Sequence, residues 1–272
     1  MAKLHHRRTH VKNKGLFYAF ILSLLFGTSL ISSRFALSEF DPIDFVALRM
    51  VISVTCFATF FSLNKRHQWP TSKAVWKHGI VLGIIGTTIP FTAFISALNY
   101  LSGGIAAIIG STAPVITLVM AHFFLRDDAL TRRKVIGVTL ALSGAILLTL
   151  SGETGLGDSA EFNPIGYLLI FISNISVSIG TIYTRKFVGD LDILQITSVR
   201  VFTAMLVTIP LGYLLGGLDI SQVTYIGLTT LFYSAIISSF LGFILSLYII
   251  NEFGVTTSIM TNYLVPVIAT SG

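Results

Sequence analysis

Polar and charged residues in this chain gather in short clusters. Between the clusters run apolar stretches at roughly 15–37, 43–64, 79–98, 104–124, 134–151, 164–184, 194–216, 222–250 and 254–270. Most reach about 18 residues or more with few charges, close to the roughly 20 that a helix needs to cross a hydrocarbon core of about 30 Å. An unpaired backbone group in lipid costs several kcal/mol, so only helices and closed barrels can span. Barrel strands alternate apolar and polar positions over short segments. These runs are continuous, and the pattern therefore predicts an all-α integral membrane protein.

Composition agrees. Of the 272 residues 53% are hydrophobic and 11% charged, with a mean hydropathy of +0.83. A soluble domain carries roughly a quarter charged residues, and too few are present here to coat one. The formal charge of +6 raises the question of nucleic acid. The basic residues, however, lie between apolar runs and form no single stripe, so nucleic acid is not an expected partner and the lipid bilayer is. Cys56 is the single cysteine and sits inside an apolar run, which leaves no disulfide and no cysteine-based metal site; no cofactor or metal is expected.

The segment MAKLHHRRTHVKNKG (1–14 and the residue after it) resembles the start of a signal peptide. The apolar run behind it is longer than a signal core and lacks a clear small-residue cleavage site, so it is taken as an uncleaved first span. Lysine and arginine then set the topology. Lys3, Arg7, Arg8, Lys12 and Lys14 precede span one; Lys65, Arg66, Lys73 and Lys77 follow span two; Arg126, Arg132, Arg133 and Lys134 follow span four; Arg185 and Lys186 follow span six. All fall on one side if each segment crosses once, while the opposite loops hold Glu39, Asp41, Asp44, Glu153, Asp158, Glu161 and Asp219. By the positive-inside rule the N-terminus is expected in the cytoplasm of a cell with this protein in its inner membrane.

An internal repeat follows from the same residues. Arg34, Asp41 and Arg49 recur as Arg185, Asp192 and Arg200 with the same spacings, 151 residues on, and Pro114 recurs as Pro266 at an offset of 152. A repeat of five spans has an odd number of crossings, so its second copy is inverted, a common device of secondary transporters with the substrate site at the repeat interface. The expected organisation is a first five-helix repeat at 15–151, a non-cytoplasmic linker at 152–163, and a second repeat at 164–272. A complete second copy would run to about residue 300, so the expected fold is a ten-helix, 5+5 inverted repeat, here truncated to about nine helices.

Several pieces in order carry a resemblance: FGTSLISSRFAL, DPIDFVALRMVISV, SALNYLSGGIAAIIGSTAPVITLVMAHFFLRDD and RRKVIGVTLALSGAILL, with SLYIINEFGVTTSIMTNYLVPVIATSG as the second-half equivalent. Over nearly its whole length the chain resembles the drug/metabolite transporter superfamily, and within it the EamA-type transporters. One departure is Leu125-Arg126-Asp127, where that family usually has Leu-Gly-Glu. The resemblance implies a secondary transporter and exporter of small metabolites, amino acids or drugs, driven by an ion gradient or by exchange.

Candidate functional residues fall into three groups. Arg49 and Arg200 open their spans; lone arginines in lipid usually face a partner or an aqueous cavity. They serve either as interface anchors paired with Asp41 and Asp192, or in gating and the holding of an anionic substrate. Asn174, Ser178, Ser258, Asn262, Ser238 and Tyr233 are candidates for a polar cavity, the alternative being close helix packing through small residues every four positions. Pro114 and Pro266 free backbone carbonyls one turn back and are candidate helix kinks. Gly212 and Gly216 form a G-x3-G that offers either a homodimer face or a close intramolecular crossing.

Rival classes find less support. His122 and Asp127 match an H-x4-D spacing seen in acyltransferases, but five helical residues turn about 500° and leave the two side chains about 140° apart. No G-x-S-x-G, H-E-x-x-H or P-loop is present. An integral membrane enzyme or a channel remains the alternative, with no recognisable catalytic motif.

Overall fold

The computed structural model describes residues 2–97, 100–101, 109–125, 131–132, 135–137, 139–140, 143–144, 147, 164–215, 217–218, 220–221 and 223–270. Within these the helices are α1 (Ala2–Ala36), α2 (Pro42–Leu63), α3 (Lys73–Ala97), α4 (Ala113–Phe124), α5 (Pro164–Phe187), α6 (Ile193–Leu215), α7 (Tyr225–Phe253) and α8 (Val255–Thr270). Among the described residues six stretches are long and apolar enough to cross a membrane: Lys14–Ser33 within α1, then α2, α3, α5, α6 and α7. The described residues between Arg132 and Leu147, in the fifth apolar stretch, are helical as well.

Local chemistry sets the helix starts. Asp41 caps α2 by accepting from the Ile43 N–H at 3.1 Å, and Pro42 follows where a missing N–H costs nothing. Thr224 caps α7, accepting from the Ile226 and Gly227 N–H groups. At the other end of α7, Gly254 takes φ 85°, a left-handed conformation that lets the chain turn directly into α8. The fourth apolar stretch is interrupted: a turn at Ser111–Thr112 breaks it, and Pro114 stands in the first turn of α4. Neither α3 nor α7 is a plain α-helix. Ile84–Thr88 and Ala235–Gly242 are π-helical, with a wider turn than the helix around them.

Equivalent helices meet across the repeats. A methyl at Gly212, near the end of α6, would lie 2.9 Å from Asp44 Oδ1 and 3.6 Å from Ala47 at the start of α2. Gln195, at the start of α6, donates to the Gln68 carbonyl beyond the end of α2 at 3.2 Å. α2 and α6 therefore run antiparallel. The G-x3-G glycine is thus a contact within the chain, while Gly216 lies outside the described residues. Asp44, counted with the loop acids in sequence, is buried in the first turn of α2. A core of Val46, Met50, Phe57 and Phe61 from α2, Ile95 from α3, Val201 and Ala204 from α6 and Phe243 from α7 joins the two halves. Large apolar residues such as Leu63, Phe123, Leu214 and Ile226 stand exposed, the surface expected of helices set in lipid.

Candidate functional site

A cavity of about 310 Å³ lies where α1 and α5 face α2, α3, α4, α6, α7 and α8. α1 lines it with Phe26, Ser29, Leu30 and Ser33; α5 lines it with Val177, Gly180, Thr181 and Thr184. Each of the second four lies 151 residues after its counterpart in the first. The same offset relates Arg49 and Arg200, which both line the cavity. Phe91 and Phe243 also line it, at an offset of 152.

Both arginines are buried, Arg49 at 5% and Arg200 at 9% exposure. Arg49 Nε donates to Ser239 Oγ at 2.6 Å and Nη2 to Ser238 Oγ at 2.6 Å. Arg200 Nε donates to Thr87 Oγ1 at 2.6 Å and Nη2 to the Gly86 carbonyl at 2.8 Å. Ser238 and Ser239 belong to the π segment of α7, Gly86 and Thr87 to that of α3. Each repeat's arginine thus reaches across to the other repeat's widened turn. Each also rests on an aromatic ring of its own repeat: Arg49 lies 5.5 Å from the Phe91 centroid and Arg200 4.5 Å from that of Phe243.

The expected pairing of these arginines with Asp41 and Asp192 is not what forms. Asp41 caps α2, and Asp192 accepts from the Gln195 N–H at 3.0 Å at the start of α6. A carboxylate in the first helical turn is already held by backbone donors and by the helix dipole. The guanidinium groups, about two turns further on, find hydroxyl and carbonyl oxygens at their own depth.

Of the six cavity candidates, Ser238, Ser258 and Asn262 line the cavity. Asn174 does not: its amide donates to the Ile109 carbonyl at 2.8 Å and to Thr112 Oγ1 at 3.0 Å, bracing the broken turn before Pro114. Ser178 is fully buried against Thr117 Oγ1 at 2.8 Å and the Asn174 carbonyl at 2.7 Å. Their mates in α1 make matching contacts. Ser23 donates to the Thr261 carbonyl at 3.4 Å, and Gly27 packs on the backbone oxygen of Val265. These pairs are helix packing. Tyr233 is exposed and donates to Thr28 Oγ1 at 2.9 Å. Pro266 is in α8, and its side chain lies outside the described residues, as do the side chain of Arg34 and residue Asp127.

Sequence reasoning missed Ser29, Ser33, Thr181 and Thr184 of the lining, and Thr87 and Ser239 among the arginine partners. A signal was present, since Ser33 and Thr184 are polar residues at the repeat offset. Among the described residues, no three His, Cys, Asp or Glu side chains gather to hold a metal. A second hollow, of about 730 Å³, opens between α2 and α7 around Cys56 and is apolar, with Ile52, Phe60, Phe232 and Phe240 in its wall.

Compared with known proteins, residues 13–150 and 164–271 match the EamA-like transporter family. An uncharacterized transporter of Archaeoglobus fulgidus is 25% identical over 172 residues, which cover 63% of this chain and 58% of that protein. Protein PecM of Dickeya dadantii is 24% identical over 199 residues, 72% of this chain and 62% of its own length. The uncharacterized inner membrane transporter YedA of Escherichia coli is 23% identical over 172 residues, 61% and 52% of the two chains. The chain thus matches less than two thirds of the length of each of these relatives. A solved crystal structure shares the fold with a TM-score of 0.74 at 18% identity, covering 94% of this chain and 86% of the other.

Proposed function

The chain belongs to the EamA-like transporter family, and from that premise we propose that it carries a small molecule across the bilayer by alternating access between two inverted repeats, with the central cavity as the substrate site. One observation carries the reading: the cavity wall is built twice, from residues in register 151 apart in α1 and α5 and from the arginine pair. A site shared equally by two halves can be exposed on either face by rocking one against the other. The antiparallel course of α2 and α6 supports inversion of the halves, which correspond to residues 15–151 and 164–272.

The cargo belongs among small metabolites, amino acids or drugs, and the direction is outward. The N-terminus is cytoplasmic, in keeping with the lysines and arginines that flank the spans. A pathway of serine and threonine hydroxyls beside two guanidinium groups and three phenylalanine rings suits a solute with polar and apolar parts. Among the described residues it offers no nucleophile paired with a base.

The geometry supplies its own test. Ser33 lies near the end of α1 and Thr184 near the end of α5, and in inverted halves these ends approach opposite faces of the bilayer. In a background with Cys56→Ser, Ser33→Cys and Thr184→Cys are labelled with membrane-impermeant maleimides from each side of vesicles. The expected result is labelling from opposite compartments, with substrate protecting one site as it exposes the other. Labelling of both from one compartment, unchanged by substrate, rules out the inverted arrangement and the carrier cycle built on it.

A further inference from the structure

The charges around the cavity are one-sided. Among the described residues its lining holds two arginines and no Asp, Glu, Lys or His. Both guanidinium groups are at least nine-tenths buried, and all four of their hydrogen bonds end on neutral oxygens: Ser238, Ser239, Thr87 and the Gly86 carbonyl. Buried cations are ordinarily paired with anions, and here the described residues supply none. A guanidinium carries five N–H donors in a fixed fork. The protein engages Nε and Nη2 of each, and Nη1 of each has no acceptor among the described residues.

Resting on the carrier reading above, we propose that the cargo is a small organic dianion whose two charged ends are received by Arg49 and Arg200. The arrangement is two-fold, as the arginines are mates in the repeat, so a solute with negative charge at both ends satisfies both sites at once. Such a solute brings the chamber to neutrality, which neither a monoanion nor a zwitterion does. A cation would enter against two positive charges at low dielectric. The volume of about 310 Å³ sits at the small end of ligand sites and excludes bulky solutes. Phe26, Phe91 and Phe243 give the apolar middle of the solute a surface to lie on. The Ser29 hydroxyl is an additional donor for carboxylate oxygens, and those of Ser33 and Thr181, which donate to helix carbonyls, join it on rotating.

Dicarboxylates carry negative charge at both ends and phosphate monoesters at one end only, and counterflow in proteoliposomes separates them. Vesicles bearing the purified chain are preloaded with succinate or with glycerol phosphate, and uptake of the labelled solute is followed against four competitors. These are the other anion, the neutral isostere succinamide, a neutral amino acid and tetramethylammonium. Saturable exchange of succinate is expected, with succinamide weaker than succinate by about ten-fold or more, the value of one charge-assisted hydrogen bond. A preference for glycerol phosphate, whose two charges share one end, overturns the two-ended arrangement. Arg200→Gln lowers dianion exchange by a similar factor, and Arg200→Lys, which keeps the charge and loses the fork, falls between. Should the Gln variant not fold, the comparison of succinate with succinamide on the unaltered chain decides. Equal competition by succinamide, or exchange of neutral or cationic solutes without any dianion, overturns the dianion assignment and leaves the carrier intact. Flux that rises linearly with concentration and shows no counterflow for any solute overturns the carrier itself.

Discussion

At Arg49 the grip across the repeats ends on two side-chain hydroxyls, Ser238 and Ser239, whereas at Arg200 it ends on one hydroxyl and the backbone carbonyl of Gly86. The first half adds a further tie, from Ser53 Oγ to the Ala235 carbonyl at 3.0 Å, while the mate of Ser53 is Ala204. The other crossing gains closeness instead, since Gly180 of α5 lies directly on Gly86 of α3, where the corresponding pair is Ser29 of α1 and Ile237 of α7. Duplication has thus preserved the places that touch and let the chemistry at each drift. A side-chain grip can be altered one residue at a time, while a backbone grip persists as long as the π turn does.

The comparison breaks most readily at the arginines themselves. Hydrogen bonds to charged groups contribute about 1.5–3 kcal/mol each, so removing two of them by Arg49→Gln or Arg200→Gln should cost about 3 kcal/mol or more. The losses should be unequal. After Arg49→Gln, Ser238 and Ser239 can rotate their hydroxyls toward helix carbonyls, as Ser53 and Thr203 already do with the residue four before each. After Arg200→Gln, the Gly86 carbonyl cannot turn away and stays buried with one donor fewer. Thermal unfolding of the purified variants in detergent should show the larger drop for Arg200→Gln. Equal drops mean that the backbone acceptor contributes nothing of its own.

A smaller effect sharpens the contrast at the helix crossing. A methyl at Gly180 would sit 2.9 Å from the Gly86 Cα, a clash with backbone that only a helix shift relieves. A methyl at Gly86 would meet Leu82 at 3.6 Å and Gly180 at 3.8 Å, which is ordinary contact. Overpacking costs about 1–3 kcal/mol, offset by up to about 1 kcal/mol of helix propensity gained on replacing glycine with alanine. Gly180→Ala should therefore lower the unfolding temperature, and Gly86→Ala should leave it unchanged or raise it. The reverse order would place the tight side of the crossing on α3.

Much of this is readable in the chain, though unevenly. The helical membrane class follows from run length, and the repeat from three charged pairs at one offset. The offset of 152 for Pro114 and Pro266 resembles noise in the sequence and has a place in the structure. Thr87 and Ser238 are still 151 apart, Phe91 and Phe243 are 152 apart, and the extra residue therefore falls by the end of the π segment of α7, where Gly242 packs against Phe26. A wider turn absorbs an added residue without unwinding the helix. No hydrophobic period marks such a turn, so neither the π segments nor the partners Gly86, Thr87 and Ser239 within them can be found by pattern. Asn174 and Ser178 stand out in sequence because they are polar on an apolar face. Their partners, Ile109, Thr112 and Thr117, lie on another helix, and only packing shows that they close a broken turn instead of facing the cavity.

The halves differ least, yet measurably, at the starts of α3 and α7. Ser72 precedes α3 without a side-chain cap. α7 is capped by Thr224, and Thr224 is itself held by Glu39, whose Oε2 accepts from the Thr224 N–H and Oε1 from its hydroxyl, each at 2.7 Å. The backbone N–H of Thr224, followed by its hydroxyl, favours the ionised carboxylate and pulls Glu39 below its usual value of 4.5. A carboxyl that titrates lower in the folded chain stabilises it fully above the unfolded value and loses that contribution as pH falls through the folded one. The gap in unfolding temperature between the unaltered chain and Glu39→Gln should thus hold steady from neutral pH down to about 5 and close below 4.5. The carboxylate is exposed, so this gap should be smaller than the changes at the arginines or at Gly180. A gap that persists unchanged into acid would assign the Thr224 clamp to shape instead of charge, and the two helix starts would then differ only in packing.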